Sequence, residues 1–411
     1  MTSKGAAIAA ANALTTRWAR EHTGTDNTVF SAVAVWPLLA LLAAGAHGPA
    51  RAELADAVGL RPEEAAAGAR ALLSHVHALP GVHTAAGLWT RRTLELRPDW
   101  SAQLPPGTHG VLTDDPAQDR EALDAWASQH TDGLITSMPV TPNGETRLVL
   151  AAAQAVRTRW LRPFQEGAAQ PESGPWAGRE LVALHRRTAL LDRVAVAHTG
   201  HGPLTVLKVL GDTGVDVHLL LGERDLTASQ VLTSGLDVLA GRCPAVPGDR
   251  LPDGAAGPGL TVGNVRSTSR DPELDVTATP FDLRAEHDLL TSARLFGLET
   301  ATDSRTRHFD GISPDPLALG SARQAATATF TELGFRAGSV TALEVAAVGL
   351  PPRPRYSVRR VEATFDRPFG FLAVHRTSRL VLTAGWVAEP VPLPPWDESE
   401  WQGGHGPRSS S

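Results

Sequence analysis

The residues best suited to chemistry are the histidines, which fall in two groups: His75, His77 and His83, and His198 with His201. A metal or proton-transfer site needs further histidine, cysteine or carboxylate partners at defined spacing. Neither group has paired acids or cysteines beside it, so both read as surface histidines. The single cysteine, Cys243, lies in the turn-like stretch GRCPAVPG. It excludes an internal disulfide, and no catalytic role can be built around it. There is no G-x-S-x-G elbow, no H-E-x-x-H and no phosphate-cradling loop. No catalytic residue, cofactor or bound metal is expected.

One stretch stands out for a different reason. Thr329 to Val348 reads TFTELGFRAGSVTALEVAAV and is followed by GLPPRPR. Its start alternates like a strand up to Glu332 and Gly334. Past the glycine the side chains turn small, and Pro351, Pro352 and Pro354 then forbid a central strand. Counting by twos from Phe335 gives Phe335, Ala337, Ser339, Thr341, Leu343 and Val345, while Arg336 and Glu344 fall on the opposite face. An exposed loop has no need of a period of two, but a segment that sometimes becomes a half-buried strand does. The plainer alternative is an edge strand that runs into a linker.

The elements that would carry such a segment emerge from pattern. Helices are expected over 6–22, Trp36 to Ala44 (apolar all round, hence buried), Arg51 to Val58, Pro62 to Leu79, from Arg97 to Gln103, Arg120 to Thr131, 227–239 and 289–298. Strands are expected at Thr28 to Phe30, with Ser31 capping the helix after it, at Thr84 to Thr90, and at Leu148 to Val156, whose unbroken apolar run marks burial on both faces. Strands fill 181–221 and 260–283, and a buried hairpin contains Phe365, Phe369, Phe371 and LVLTAGWV. Pro244 to Gly259 reads as a surface loop, and 391–411 as a disordered polar tail. With 411 residues, 42% of them hydrophobic and 20% charged, this is one α+β domain over 6–390.

Charge and hydropathy narrow the partners. The net charge is −6 without local runs, so neither nucleic acid nor an acidic membrane is an expected partner. Val33 to Ala46 is too short to span a bilayer and contains Pro37. The N-terminus reads as an amphipathic helix rather than a secretion signal. A cytoplasmic monomer is expected, and an extracellular location stays open through export without such a signal.

In order along the chain, several of these pieces resemble the serpin superfamily, the serine protease inhibitor fold, in a divergent, bacterial-type form. NTVFS at 27–31 with LLALLAAGAHGPARAEL looks like the family's opening strand and buried helix. LDAWASQHTDGLI at 123–135 and TRLVLAAAQAVRTRW at 146–160 resemble a helix and the central strand that ends at Trp160. RHFDGIS at 307–313, TFTELG at 329–334 and DRPFGFLAV at 366–374 come next in family order. The resemblance implies a large, mostly antiparallel central sheet with flanking helices and an exposed reactive-centre loop that inserts as an extra strand. In inhibitory members a protease cuts that loop, is acylated, and is trapped as the loop inserts.

Carried over by position, the hinge would comprise Glu332, Gly334, Phe335, Arg336, Ala337 and Gly338. The reactive bond would be Val348–Gly349, about sixteen residues past Glu332, a length set by the strand to be supplied. Val348 suits elastase- or subtilisin-like serine proteases, and the arginines beyond it make trypsin-like enzymes the second choice. The sheet-opening region would comprise Ser31, Ala34, Ala152, Trp160 and Gln324. Here the sequence departs from the family: alanines replace a serine and an asparagine, Gln324 replaces a histidine, and the polar latch is expected to be lost. Phe335 replaces a threonine or serine, and its ring is expected to hinder insertion into a site built for a small residue. The alternative is a non-inhibitory member, either binding or chaperone-like, or recruited to a small-molecule biosynthetic pathway.

Overall fold

The computed structural model describes residues 2–113, 115–143, 146–335 and 354–394. Helix α1 (Ser3–Glu21) is capped by the Thr2 hydroxyl, which accepts from Gly5 N–H, and it buries Leu14 and Trp18. Strand β1 (Thr28–Phe30) leads into α2 (Ala32–Gly45), buried almost throughout, as an all-round apolar helix must be. Helix α3 (Gly48–Val58) ends at Gly59 in the left-handed region, and α4 (Pro62–His77) begins on a proline. Then come β2 (Val82–Arg91), the short α5 (Pro98–Ser101) and β3 (His109–Leu112). Helix α6 (Pro116–His130) is capped by the Asp115 carboxylate, which accepts from Ala117 and Gln118 N–H.

The strand-rich part opens with β4 (Leu148–Val156), buried at every residue as its composition requires, and β5 (Thr158–Arg159). It continues through β6 (Gln165–Ala169), β7 (Leu181–Thr188), β8 (Val194–Thr199), β9 (Gly202–Val209) and β10 (Val215–Leu221). Helix α7 (Ala228–Leu239) starts with a capping box made by Thr227 and Gln230. The stretch 244–259 is not only loop: it holds β11 (Ala245–Pro247) and β12 (Gly254–Gly257), and β12 forms a hairpin with β13 (Leu260–Ser267). Its prolines and glycines hid strands that exist because neighbouring sheets offer them an edge. Next are β14 (Glu273–Ala278) and β15 (Phe281–Asp288). The helix expected over 289–298 is broken into a 3-10 turn and the one-turn α8 (Ala293–Phe296). The chain ends with β16 (Ser321–Phe330), β17 (Gly334–Phe335), β18 (Tyr356–Thr364), β19 (Phe369–His375) and β20 (Val381–Val387).

These strands form three sheets. The main one runs β3-β2-β4-β16-β17-β5, with β15 on the other edge of β16, and is mostly antiparallel. A second joins β1, β20, β19, β10, β9, β8 and β11, and a third runs β12-β13-β18-β14-β7-β6. Helix α2 and the second sheet fill the inner side of the main sheet. On its outer side, Leu123 and Ala127 of α6, with Ile135, Met138 and Val140, cover Val149, Ala151 and Ala153. The tail beyond Pro390 begins ordered rather than disordered, because Val391 O accepts from Val182 N–H and Leu393 N–H donates to Glu180 O along β7. Residues 395–411 lie outside the described residues.

Candidate strand-insertion site

Strand β16 has different neighbours at its two ends. Ser321–Ala326 lies parallel to Val149–Gln154 of β4, while Phe330 pairs antiparallel with Phe335 of β17. Strand β17 in turn pairs with β5, Gly334 with Arg159 and Phe335 with Thr158. Between these contacts, residues 327–329 have β15 on one edge and no strand on the other among the described residues. Among the described residues the main sheet is therefore zipped at one end and split at the other, and β17 sits in the mouth of the split.

The chain enters that mouth through a tight turn. Thr331 N–H donates to Gly334 O at 2.9 Å, and Trp160 N–H to Leu333 O at 2.9 Å. Trp160 Nε1–H donates to Thr331 O at 2.9 Å, and Phe164 N–H to Glu332 O at 2.8 Å. Four successive carbonyls, 331 to 334, are thus held, two of them by Trp160. Gly334 cannot carry a side chain here, because a Cβ would stand 2.4 Å from Thr158 O. Glu332 raises the pKa of nearby Glu166 above the usual carboxylate value, but only as the lesser cause after desolvation of Glu166 itself.

Phe335 is fully buried. Its ring centroid lies 6.0 Å from that of Phe371 and 6.5 Å from that of Phe281, both edge-on, and Phe281 also stacks on Phe371 and Phe330. The ring expected to hinder entry is already seated in a site made of aromatic side chains, on the core face as the period of two requires. The expected site for a small residue does not exist here.

The sheet-opening residues also meet, with one correction. Ala152 and Gln324 are register partners across β4 and β16, and Ala34 is buried in α2. The polar latch expected to be lost is replaced rather than absent. Buried Gln324 accepts from Ser31 N–H at 2.9 Å through Oε1 and donates to Ser31 O at 2.7 Å through Nε2. Ser31 Oγ donates to Leu382 O at 2.7 Å and makes no cap bond to α2. The clamp ties β16 to the start of α2, and Ala152 offers β4 no polar side chain with which to join it.

Two polar residues of this belt escaped the sequence reading. His287, the register partner of Gln324 across β15 and β16, donates through Nε2 to Val29 O at 2.8 Å. Burial holds its pKa below the usual histidine value, and the bond to Val29 opposes that. Gln154 accepts from Thr84 Oγ1 at 2.6 Å, linking β4 to β2. A lone glutamine in LVLAAAQAV was the available signal, since a polar side chain in a strand buried on both faces must find a partner. Arg336, Ala337, Gly338, Val348 and Gly349 lie outside the described residues. Of the two histidine groups, His77, His198 and His201 are exposed and His75 and His83 half-buried. Among the described residues no group of three or more His, Cys, Asp or Glu side chains is placed to hold a metal, and no helix is long and apolar enough to cross a membrane.

Comparison with known proteins gives this geometry a known fold. The model for Serpin (serine protease inhibitor) matches residues 9–173. A putative serpin-Z6A of Oryza sativa subsp. japonica is 26% identical over 394 residues, spanning 89% of this chain and 94% of that protein. The chain has the serpin fold. A serine proteinase inhibitor of Cavia porcellus is 22% identical over 394 residues, spanning 90% of this chain and 85% of that protein. Human thyroxine-binding globulin, solved in complex with thyroxine, superposes with a TM-score of 0.70 at 16% identity, covering 94% of this chain and 99% of that one. At that identity the match speaks for the fold alone.

Proposed function

We propose that this protein is a serpin that inhibits serine proteases as a suicide substrate, by loop cleavage and strand insertion. The observation that carries the reading is β17, a two-residue strand lodged between β16 and β5 at the split end of the main sheet. Continued in both registers, a strand following Phe335 would place Thr341 between Gln324 and Ala152, with Leu343 and Val345 on the core face. It would replace one parallel pairing, β4 with β16, by two antiparallel ones, which are slightly stronger per residue.

In this mechanism the protease serine attacks the Val348 carbonyl. An ester forms to its Oγ, the Val348–Gly349 amide breaks, and Gly349 leaves as a new amino terminus. Insertion then competes with hydrolysis of the ester. The experiment is incubation with a panel of elastase-, subtilisin- and trypsin-like enzymes, read on denaturing gels with sequencing of the released fragment. The expected result is a heat-resistant band heavier than the protease and a fragment that begins at Gly349. Cleavage of every molecule without such a band would refute inhibition.

One observation favours a second, non-inhibitory reading. The turn 331–334 is held at four carbonyls and Phe335 by an aromatic cluster, so the hinge has an anchor that an idle loop could keep. In that case a nick in the loop changes neither the sheet nor the melting temperature.

A further inference from the structure

Four cations converge beside the hinge turn. Arg162 lies two residues past Trp160, Arg186 lies in β7, Arg193 precedes β8, and Lys208 lies in β9. Their side chains line one cavity of ≈ 200 Å³, together with Leu161, Leu190 and Leu210. Like charges gathered at such range repel one another unless something offsets them. Among the described residues the carboxylate paired with the group is Asp192, 3.4 Å from Arg193.

The arginines are built into the wall rather than draped over it. The Arg186 guanidinium lies over the Phe164 ring, 4.2 Å from its centroid, and donates to Arg162 O at 3.2 Å. Arg162 Nη1 donates to Thr188 Oγ1 at 3.2 Å. Nε of Arg186 and Nε of Arg193 are buried and have no hydrogen-bond partner among the described residues, an unusual state for a charged donor. Burial, with Arg162 and Arg193 adding to it, brings the pKa of Arg186 down to about 10. The floor is apolar, and Leu161 and Leu190, 56% and 39% exposed, leave large hydrophobic surface to water in the same cavity. A solvated basic patch would account for the lysine and for Arg162, but not for buried unpaired donors above exposed leucines.

We propose that this cavity binds a small amphipathic anion, an alkyl or aryl carboxylate or sulfate. Its acid group would sit among Arg162, Arg186, Arg193 and Lys208, and its short apolar part would cover Leu161 and Leu190. The cavity is below the usual size of ligand pockets, which suits one acid group on a short chain. Phe164, beneath Arg186, donates to Glu332 O, so an occupant would bear on the hinge turn itself.

The test is calorimetric titration of the full chain with octanoate, and with acetate and octanol as probes that lack the tail or the charge. No protease is present, so the result stands apart from inhibition. The expected result is saturable one-to-one binding of octanoate, about tenfold or more tighter than either control and weaker at high salt. Lys208→Ala and Arg162→Ala, both at exposed positions, should each weaken it about two- to fivefold, and Arg186→Met by more. Should Arg186→Met fail to fold, the two surface variants still decide. Equal affinity for octanol, unchanged affinity in both surface variants, or no saturation would each overturn the proposal.

Discussion

At Phe335 the ring, its ladder partners and the glycine before it constrain one another. Phe335→Thr would empty a buried aromatic site beside Phe281 and Phe371, and large-to-small changes at such rings cost roughly 3–5 kcal/mol for phenylalanine to alanine. The uncut variant is therefore expected to melt several degrees lower. The ring's seat already belongs to the register that an inserted strand would continue, so its removal gains nothing in the race against ester hydrolysis. The number of inhibitor molecules consumed per protease trapped should not fall in Phe335→Thr, and a clear fall would show that the ring does obstruct insertion. Gln324 acts through both ends of its amide. Gln324→Leu leaves the buried N–H and C=O of Ser31 without partners, at about 1–3 kcal/mol for each group. A denaturation midpoint within error of the parent protein would mean that the clamp is dispensable.

Among the elements, β16 and β18 make the two claims most open to measurement. Cleavage anywhere in 342–355 would let the freed segment add a strand between β4 and β16, and a cut beyond Val345 would also bury Leu343 and Val345, worth roughly 1.5–3 kcal/mol each before entropy. The nicked protein is expected to melt higher than the intact one, and equal melting points would leave the non-inhibitory reading in place. An uncut loop can enter the main sheet over its full length only if β18, the next strand along the chain, is drawn out of its own sheet. Strand β18 is flanked on both sides, by β13 over eight register pairs and by β14 over five. Arg359 ties it to Asp253, and Arg360 ties it to Glu273 and Asp275. Leu260→Asp puts a charge into the buried β13–β18 seam and should shorten the time the uncut protein stays active on warm storage, as assayed by residual trapping. The apolar run of β4 was plain in the sequence, because it reports burial directly, whereas β16 was legible only at its end, from Thr329. Strand β12 was not, because its glycines and the prolines around it match a surface loop and only the edge of β13 makes it a strand. The seat of Phe335 was hidden for a related reason. Its walls come from Phe281 and Phe371, distant in sequence, and a register read along one segment cannot show what lies across the core.

For the molecule as a whole, acid should act through its histidines before its carboxylates. His22, His75, His83, His109, His218, His287 and His375 all have pKa values below the ordinary 6.5, and in each burial is the largest cause. His218 is lowered furthest, to about 4, with Lys208 and Arg379 adding to burial and Asp216 opposing it. In the unfolded chain these rings take up protons near 6.5, so below that pH the unfolded state binds more protons than the folded one. Their contribution is complete above 6.5, is lost progressively as pH falls, and is gone once the folded values are passed, near 4 for His218. Glu273, held down chiefly by its bond to Arg360, adds its own loss only at lower pH, around and below the ordinary 4.5 of a glutamate. Melting temperatures at constant ionic strength should stay level from pH 8 to about 7 and then fall steadily toward 5. His218→Gln keeps a polar side chain in β10 that cannot take up the proton, so its curve should be flatter between about 6.5 and 4 than that of the parent. A parent curve that stays level down to pH 5 would show that these rings are no less basic in the folded protein than in the unfolded chain. A variant curve parallel to the parent's would remove His218 from the account and leave the slope to the other six.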